Sequence, residues 1–230
     1  MPAAFFTAAL GVLRHLGLDI PDEQVATYKA PFVNGNQPGL LVIGGSSTVG
    51  QYATQLARRF GFVVVAVAGA SAEQAKAQGA DVVLDYKSPT FEKELFDVVK
   101  EHDIHRVFDA VGPTGHRQLA AQATAALGGP NFLASVHPAG EADPTPDSVT
   151  FTFVGVGGFH NPDKPDVQAL GTVLSRLVGG WLESGELKPQ KVTVVPGGLA
   201  GVSEGLKKYE EGRVSGEKLV YRIKETPDLV

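Results

Sequence analysis

The chain has 230 residues, 43% hydrophobic and 20% charged, so it can bury a core and lies outside the disordered class. It has no cysteine, which excludes thiolate catalysis, disulfides and cysteine-type zinc sites. The net charge of −5 and the lack of any Lys/Arg run beyond two residues make nucleic acid and anionic membranes poor partners, and the longest apolar stretch, 60–70, is too short to span a bilayer.

Residues 3–13 are apolar but are followed by Arg14 and His15 and preceded by no basic residue, so they are not a secretory signal. Phe6, Leu10, Leu13 and Leu16 recur at helical spacing, and Gly17 is a natural stop. An amphipathic helix is predicted there, in a chain expected to be cytoplasmic. Residues 19–38 read as linker and turn. Short apolar runs at 40–43, 62–68, 82–84, 107–111, 132–136 and 150–156 then alternate with helical patterns at 48–59, 72–78, 91–101 and 117–127. Continuous apolar strands alternating with amphipathic helices predict a doubly wound parallel sheet, an α/β Rossmann fold. A polar loop at 137–148, a long helix at 167–182, a strand at 191–195, a helix at 199–211 and a strand at 218–223 complete the chain. The predicted organisation is an N-terminal helix and linker over 1–38, a dinucleotide-binding domain over 39–184 and a C-terminal strand–helix–strand segment over 185–230. The 28 glycines and 15 prolines fit the many tight loops such a fold needs.

The sharpest motif is Gly44-Gly45-Ser46-Ser47-Thr48-Val49-Gly50, between the first predicted strand and helix. In that context a glycine-rich turn offers backbone N–H groups and a helix N-terminus to a pyrophosphate. As G-x-G-x-x-G it carries Ser47 in place of the middle glycine: Gly45 permits the turn, Gly50 the close helix–strand packing, and Ser47 adds a hydroxyl. The bland alternative is a turn that binds nothing. At the end of the second strand, Val67-Ala68-Gly69-Ala70-Ser71 carries no acid to hold ribose hydroxyls, which points to NADP rather than NAD. Lys76 and Tyr86 are the nearby candidates for a charge and a phenol donor. Lys76 is equally well read as a solvated helix residue.

The segments LLVIGGSSTVGQYATQLAR, AKAQGADVVLDYK, VFDAVG and EEGRVSGEKLVYRI resemble the cofactor domain of medium-chain dehydrogenase/reductases. The zinc-independent branch, with quinone oxidoreductases and fungal trans-acting enoyl reductases, is the most similar. The resemblance implies NADP(H), with Ser46, Ser47, Thr48 and Val49 along the pyrophosphate and Ser71 and Tyr86 at the 2′-phosphate. It implies Ser135, Val136, Val154 and Gly155 beside the nicotinamide, and Val214 and Ser215 reaching the cofactor from the C-terminal side. Family members carry an N-terminal GroES-like domain before the segment similar to 5–16, and here Met1 stands where that domain would end. In the family the strand similar to 218–223 pairs back into that domain, so an unpaired edge and a homodimer are expected; the alternative is that 218–223 folds onto 192–195 as a local pair and leaves a monomer.

Other constellations are weaker. The histidines form no H-E-x-x-H, and His102 and His105 beside Asp103 read as solvated surface, so no metal site is expected. No G-x-S-x-G elbow and no Tyr-x-x-x-Lys pair occurs. Phe159 and His160 fall near the expected nicotinamide end. His160 is either an acid–base group or a loop histidine facing water. By the resemblance Phe5, Phe6 and Thr7 line a substrate channel, although a helix packing face explains the phenylalanines equally well. Trp181 reads as core. The expected function is an NADP(H)-dependent oxidoreductase of the enoyl or quinone reductase type, acting on a small hydrophobic enone, quinone or polyketide-type substrate. The alternative is a reductase-like protein that binds NADP or a hydrophobic ligand without redox turnover, as a pathway partner or a non-redox isomerase or cyclase.

Overall fold

The computed structural model describes residues 2–18, 20–31, 36–112, 115–140 and 144–227. Met1 and parts of the predicted linker (19, 32–35) and polar loop (141–143) lie outside the described residues.

Six parallel strands form the main sheet in the order β3-β2-β1-β4-β5-β6. They are β1 (Gly39–Ile43), β2 (Val63–Ala68), β3 (Val82–Asp85), β4 (Arg106–Asp109), β5 (Asn131–Ser135) and β6 (Val149–Phe153). Helices α1 (Pro2–Arg14), α2 (Thr48–Arg59), α3 (Ala72–Ala77), α4 (Phe91–Glu101), α5 (His116–Ala125) and α6 (Pro165–Glu183) accompany them. The period of two sorts each strand between two cores. Leu40, Val42, Val64, Phe108 and Ala134 join α1, α2 and α6 on one face. Leu41, Ile43, Val65, Val67, Val107 and Leu133 join Phe91, Leu95, Val99 and Ala120 on the other. Burial on both faces is why these strands read as continuous apolar runs. Gly11 lets α1 lie directly on the sheet, since a Cβ there would collide with the Phe108 ring.

Strand order reverses between β1 and β4, so the crevice at the carboxyl ends of these strands is where a doubly wound sheet binds its ligand. The strands predicted at 107–111 and 150–156 end early, for local reasons. β4 stops at Asp109 because that side chain takes the N–H groups of Val111 and Gly112, both at 3.0 Å. β6 stops at Phe153 because the chain tightens into a 3₁₀ turn over Val156–His160. The helix predicted at 199–211 opens as a 3₁₀ turn over Gly198–Gly201 before α7 (Val202–Glu210).

β7 (Lys191–Val195), α7 and β8 (Glu217–Tyr221) form a separate two-stranded parallel unit. The expectation of an unpaired last strand is thereby corrected in favour of the local pair: β8 pairs with β7 from Lys191↔Glu217 to Val195↔Tyr221. Gln51 of α2 donates to the carbonyl of Gly216 at 3.1 Å, and Gln55 both accepts from Lys188 N–H (2.7 Å) and donates to its carbonyl (3.2 Å). Those amides dock the C-terminal unit against the helix that follows the glycine turn. Among the described residues no helix is long and apolar enough to cross a membrane.

Candidate functional site

A crevice of about 480 Å³ opens at the carboxyl ends of β1, β2, β3 and β4. Its floor is the turn between β1 and α2. Gly44 has φ +72°, in the left-handed region that favours glycine, and an added Cβ would strike Val111. A Cβ on Gly50 would strike the carbonyl of Gly44, so glycine there lets α2 seat tightly on the turn. Ser47 caps α2: its Oγ accepts the N–H of Gly50 at 3.0 Å and donates to the carbonyl of Ala110 at 3.5 Å. The first turn of α2 leaves other backbone N–H groups without intrahelical partners, and the positive end of the helix dipole meets the floor of the crevice.

The walls come from four further segments. Ala68 ends β2 with Gly69 and Ala70 after it, and Tyr86 and Lys87 follow β3. Val111 and His116 bound the β4 side, and Gly212, Val214, Ser215 and Gly216 come from the C-terminal unit. Gly69 lets the Tyr86 ring lie close, at 2.7 Å from where a Cβ would stand. The His116 ring lies against Tyr86, tilted at 5.2 Å, and against Phe91, edge to face at 5.3 Å. Burial lowers the His116 pKa below its usual value, against a smaller opposing pull from Asp109, so the ring is a neutral wall at neutral pH. Among the described residues no carboxylate lines the crevice, while Lys87 supplies a cation. A cradle of backbone donors, a cation and no acid fits a phosphorylated nucleotide.

The predicted site residues divide. Ser46, Ser47, Tyr86, Val214 and Ser215 converge on the crevice. Gly45 is buried under the turn, with its N–H on the carbonyl of Val67 at 2.9 Å. Thr48 and Val49 form the first turn of α2, where the Thr48 carbonyl accepts from Gln190 at 2.8 Å. Ser71 stands at the rim with its Oγ 2.5 Å from that of Ser215, tying the C-terminal unit to the end of β2. Lys76 is not at the crevice: it pairs with Glu73 at 3.0 Å and faces a different groove. Ser135 and Val154 are buried, and the hydroxyl of Ser135 is consumed by Asp109 at 2.7 Å, so it presents no side chain to a ligand. Val136 is half-buried against the first core, and Gly155 leads into the 3₁₀ turn.

A second, more apolar groove of about 560 Å³ lies between α1, the Val156–His160 turn and α6. Phe6, Phe159 and His160 line it, with the Phe6 and Phe159 rings edge to face at 5.3 Å. Phe5 is instead core, packed on Phe6, Tyr52 and Trp181. Thr7 Oγ1 returns to the carbonyl of Ala3 at 2.7 Å and does not line the groove. Lys87, His116 and Gly216 escaped the sequence reading. Lys87 follows Tyr86 directly, a signal that was available, whereas His116 and Gly216 reach the crevice only through tertiary packing. Among the described residues no group of three or more His, Asp or Glu is placed to hold a metal ion.

Comparison with known proteins agrees with this geometry. The model of the zinc-binding dehydrogenase family matches residues 48–175. A zinc-type alcohol dehydrogenase-like protein of Schizosaccharomyces pombe is 28% identical over 97% of this chain and 65% of its own length. The enoyl reductase component lovC of the lovastatin nonaketide synthase of Aspergillus terreus is 27% identical over 97% of this chain and 63% of its own. The solved structure of CurA from Vibrio vulnificus in complex with NADPH covers 95% of this chain and 61% of its own, at 20% identity and a TM-score of 0.62, which shows a shared fold. The chain thus spans under two thirds of the length of these relatives. With the glycine turn, the strand order and the family match in agreement, the chain belongs to the zinc-binding dehydrogenase family and carries the cofactor domain of a medium-chain dehydrogenase/reductase.

Proposed function

We propose that this chain binds NADP(H) and serves as an oxidoreductase of the enoyl or quinone reductase type in polyketide or other secondary metabolism. The observation that carries the reading is the crevice itself, which combines a glycine-turn floor, Tyr86 and Lys87 on the wall and, among the described residues, no carboxylate. An acid at the end of β2 would bind ribose hydroxyls and repel a 2′-phosphate. Small residues there, beside a lysine and a phenol, favour the phosphate. Ser46 and the α2 terminus would hold the pyrophosphate, and Val214 and Ser215 would close over it. The bound nicotinamide supplies hydride chemistry, and the protein's part is to hold and orient it and to exclude water. The groove of Phe6, Phe159 and His160 offers an apolar wall for a hydrophobic enone, quinone or polyketide-type chain. No metal is assigned to the reaction.

Fluorescence titration with NADPH and NADH, followed by turnover against a panel of enones and quinones, tests the reading. Tighter binding of NADPH with turnover of at least one enone or quinone is expected. Equal or tighter binding of NADH overturns the NADP preference. Binding without turnover across the panel overturns the oxidoreductase reading in favour of a ligand-binding or non-redox role.

A further inference from the structure

A fully buried polar cluster lies behind the crevice wall, where none of its members touches the opening. Asp109 and Ser135 are register partners at the carboxyl ends of β4 and β5, and Arg117 reaches them from α5. Their exposures are 0%, 0% and 1%. Ser135 Oγ donates to Asp109 Oδ2 at 2.7 Å, accepts the N–H of His137 at 3.1 Å and accepts from Arg117 Nη1 at 3.3 Å. The same Arg117 nitrogen stands 3.3 Å from the carbonyl of His137, 3.4 Å from that of Pro138 and 3.9 Å from Asp109 Oδ2. Its guanidinium lies 5.5 Å from the centre of the Phe151 ring on β6. Asp109 Oδ1 holds the N–H groups of Val111 and Gly112.

Burying an ion pair brings little net stability, and apolar side chains of the same volume would pack this space at least as well. What apolar side chains could not do is fix the backbone at specific atoms. Among the described residues, the cluster's side-chain bonds to the main chain reach two segments, 111–112 after β4 and 137–138 after β5. Those loops stand on the far side of the strand-order reversal from Tyr86 and Lys87. A dinucleotide lying across that reversal puts its adenosine half on the β2–β3 side and its other half on the β4–β5 side.

We infer that Asp109, Arg117 and Ser135 are positioning residues that set the seat of the nicotinamide half, acting through the 111–112 and 137–138 backbone. The assignment rests on the NADP(H) reading. The probes are NADPH and 2′-phospho-ADP-ribose, which keeps the adenosine half and lacks the nicotinamide. They are titrated calorimetrically into the wild-type chain and into Arg117→Met and Ser135→Ala, with melting temperatures recorded for each. In Arg117→Met, affinity for NADPH is expected to fall about tenfold while affinity for the fragment changes less than about twofold. Ser135→Ala removes one oxygen and keeps the packing; it is expected to show the same selective loss at smaller size, and it decides the matter if Arg117→Met does not fold. Equal loss for both probes, or loss for neither, overturns the positioning role and leaves the cofactor reading intact. A wild-type chain that gains nothing from the nicotinamide half also overturns it. A wild-type chain that binds neither probe overturns the cofactor reading and this assignment together.

Discussion

The main sheet and the C-terminal unit are both parallel, yet they are finished differently. In the main sheet β1 is buried along its whole length, and both faces are covered by helices. In the small unit the β7 residues Val192 and Val194 stay exposed, as do Leu206 and Tyr209 of α7, and Ile223 beyond β8 is 63% exposed. Parallel pairs are ordinarily covered on both sides, because crossover helices put apolar layers there. The small unit has one crossover helix, α7, seated closely because Gly205 leaves room for Tyr221. Its described ties to the main domain include the Gln51 and Gln55 amides of α2, the Gln190–Thr48 bond and the Ser71–Ser215 hydroxyl pair, with Leu187 just before β7 buried in the main core. The comparison teaches that one wall of the crevice is built on a core covered on both faces, whereas the other is docked largely through side-chain hydrogen bonds and leaves apolar side chains exposed. A unit held this way opens at lower free energy than a sheet held by a core.

Breaking the rigid region should have the largest effect. Phe108 is fully buried at the centre of the main sheet, so Phe108→Ala is expected to cost about 3–5 kcal/mol by chemical denaturation. Leu219 of β8 is 8% exposed in the small unit, and Leu219→Ala is expected to cost about 2 kcal/mol there. Hydrogen exchange separates the two regions. Leu219→Ala should raise exchange in β7 and β8 and leave β1 and β4 protected, and equal loss of protection everywhere would show that the two regions open as one.

Two milder changes address the crevice where the regions meet. Lys87→Glu replaces its cation with an anion and should weaken NADPH about tenfold while changing NADH little. Equal effects on both nucleotides would remove Lys87 from the phosphate end. His116, and His15 on the other face, are held below the usual histidine pKa of 6.5, in both cases chiefly by burial. The folded chain then binds fewer protons than the unfolded chain just below pH 6.5. Stability is therefore full above 6.5 and declines as pH falls through the lower folded values. His116→Gln should flatten part of that decline in a series of melts, and an unchanged slope would exclude His116 as a contributor.

Much of the fold was legible because its signals are local. The alternation of runs such as 40–43 and 62–68 with amphipathic helices gave the doubly wound sheet, and the turn at 44–50 marked its crevice. Ser46, Ser47 and Tyr86 could be placed because each sits at the end of a predicted strand. Lys87 carried the same signal, directly after Tyr86 at the end of a predicted strand, but was not singled out; Lys76, on a predicted helix, is paired with Glu73 away from the crevice. Ser135 sits at a strand end like the others, but its hydroxyl is spent on a buried aspartate that no spacing announces.

By itself, then, the sequence determined the layer architecture, the strand–turn–helix floor and the absence of an acid after β2, since each follows from residues adjacent in the chain. Tertiary structure decided which polar groups face the crevice and which are buried behind it. It brought Gly216 to Gln51 across 165 residues, Arg117 to the ends of β4 and β5, and β8 onto β7. The physical reason is range. Periodicity and turn chemistry act over a few residues, whereas the orientation of a hydroxyl, a guanidinium or a strand edge is set by whatever distant segment the fold packs against it.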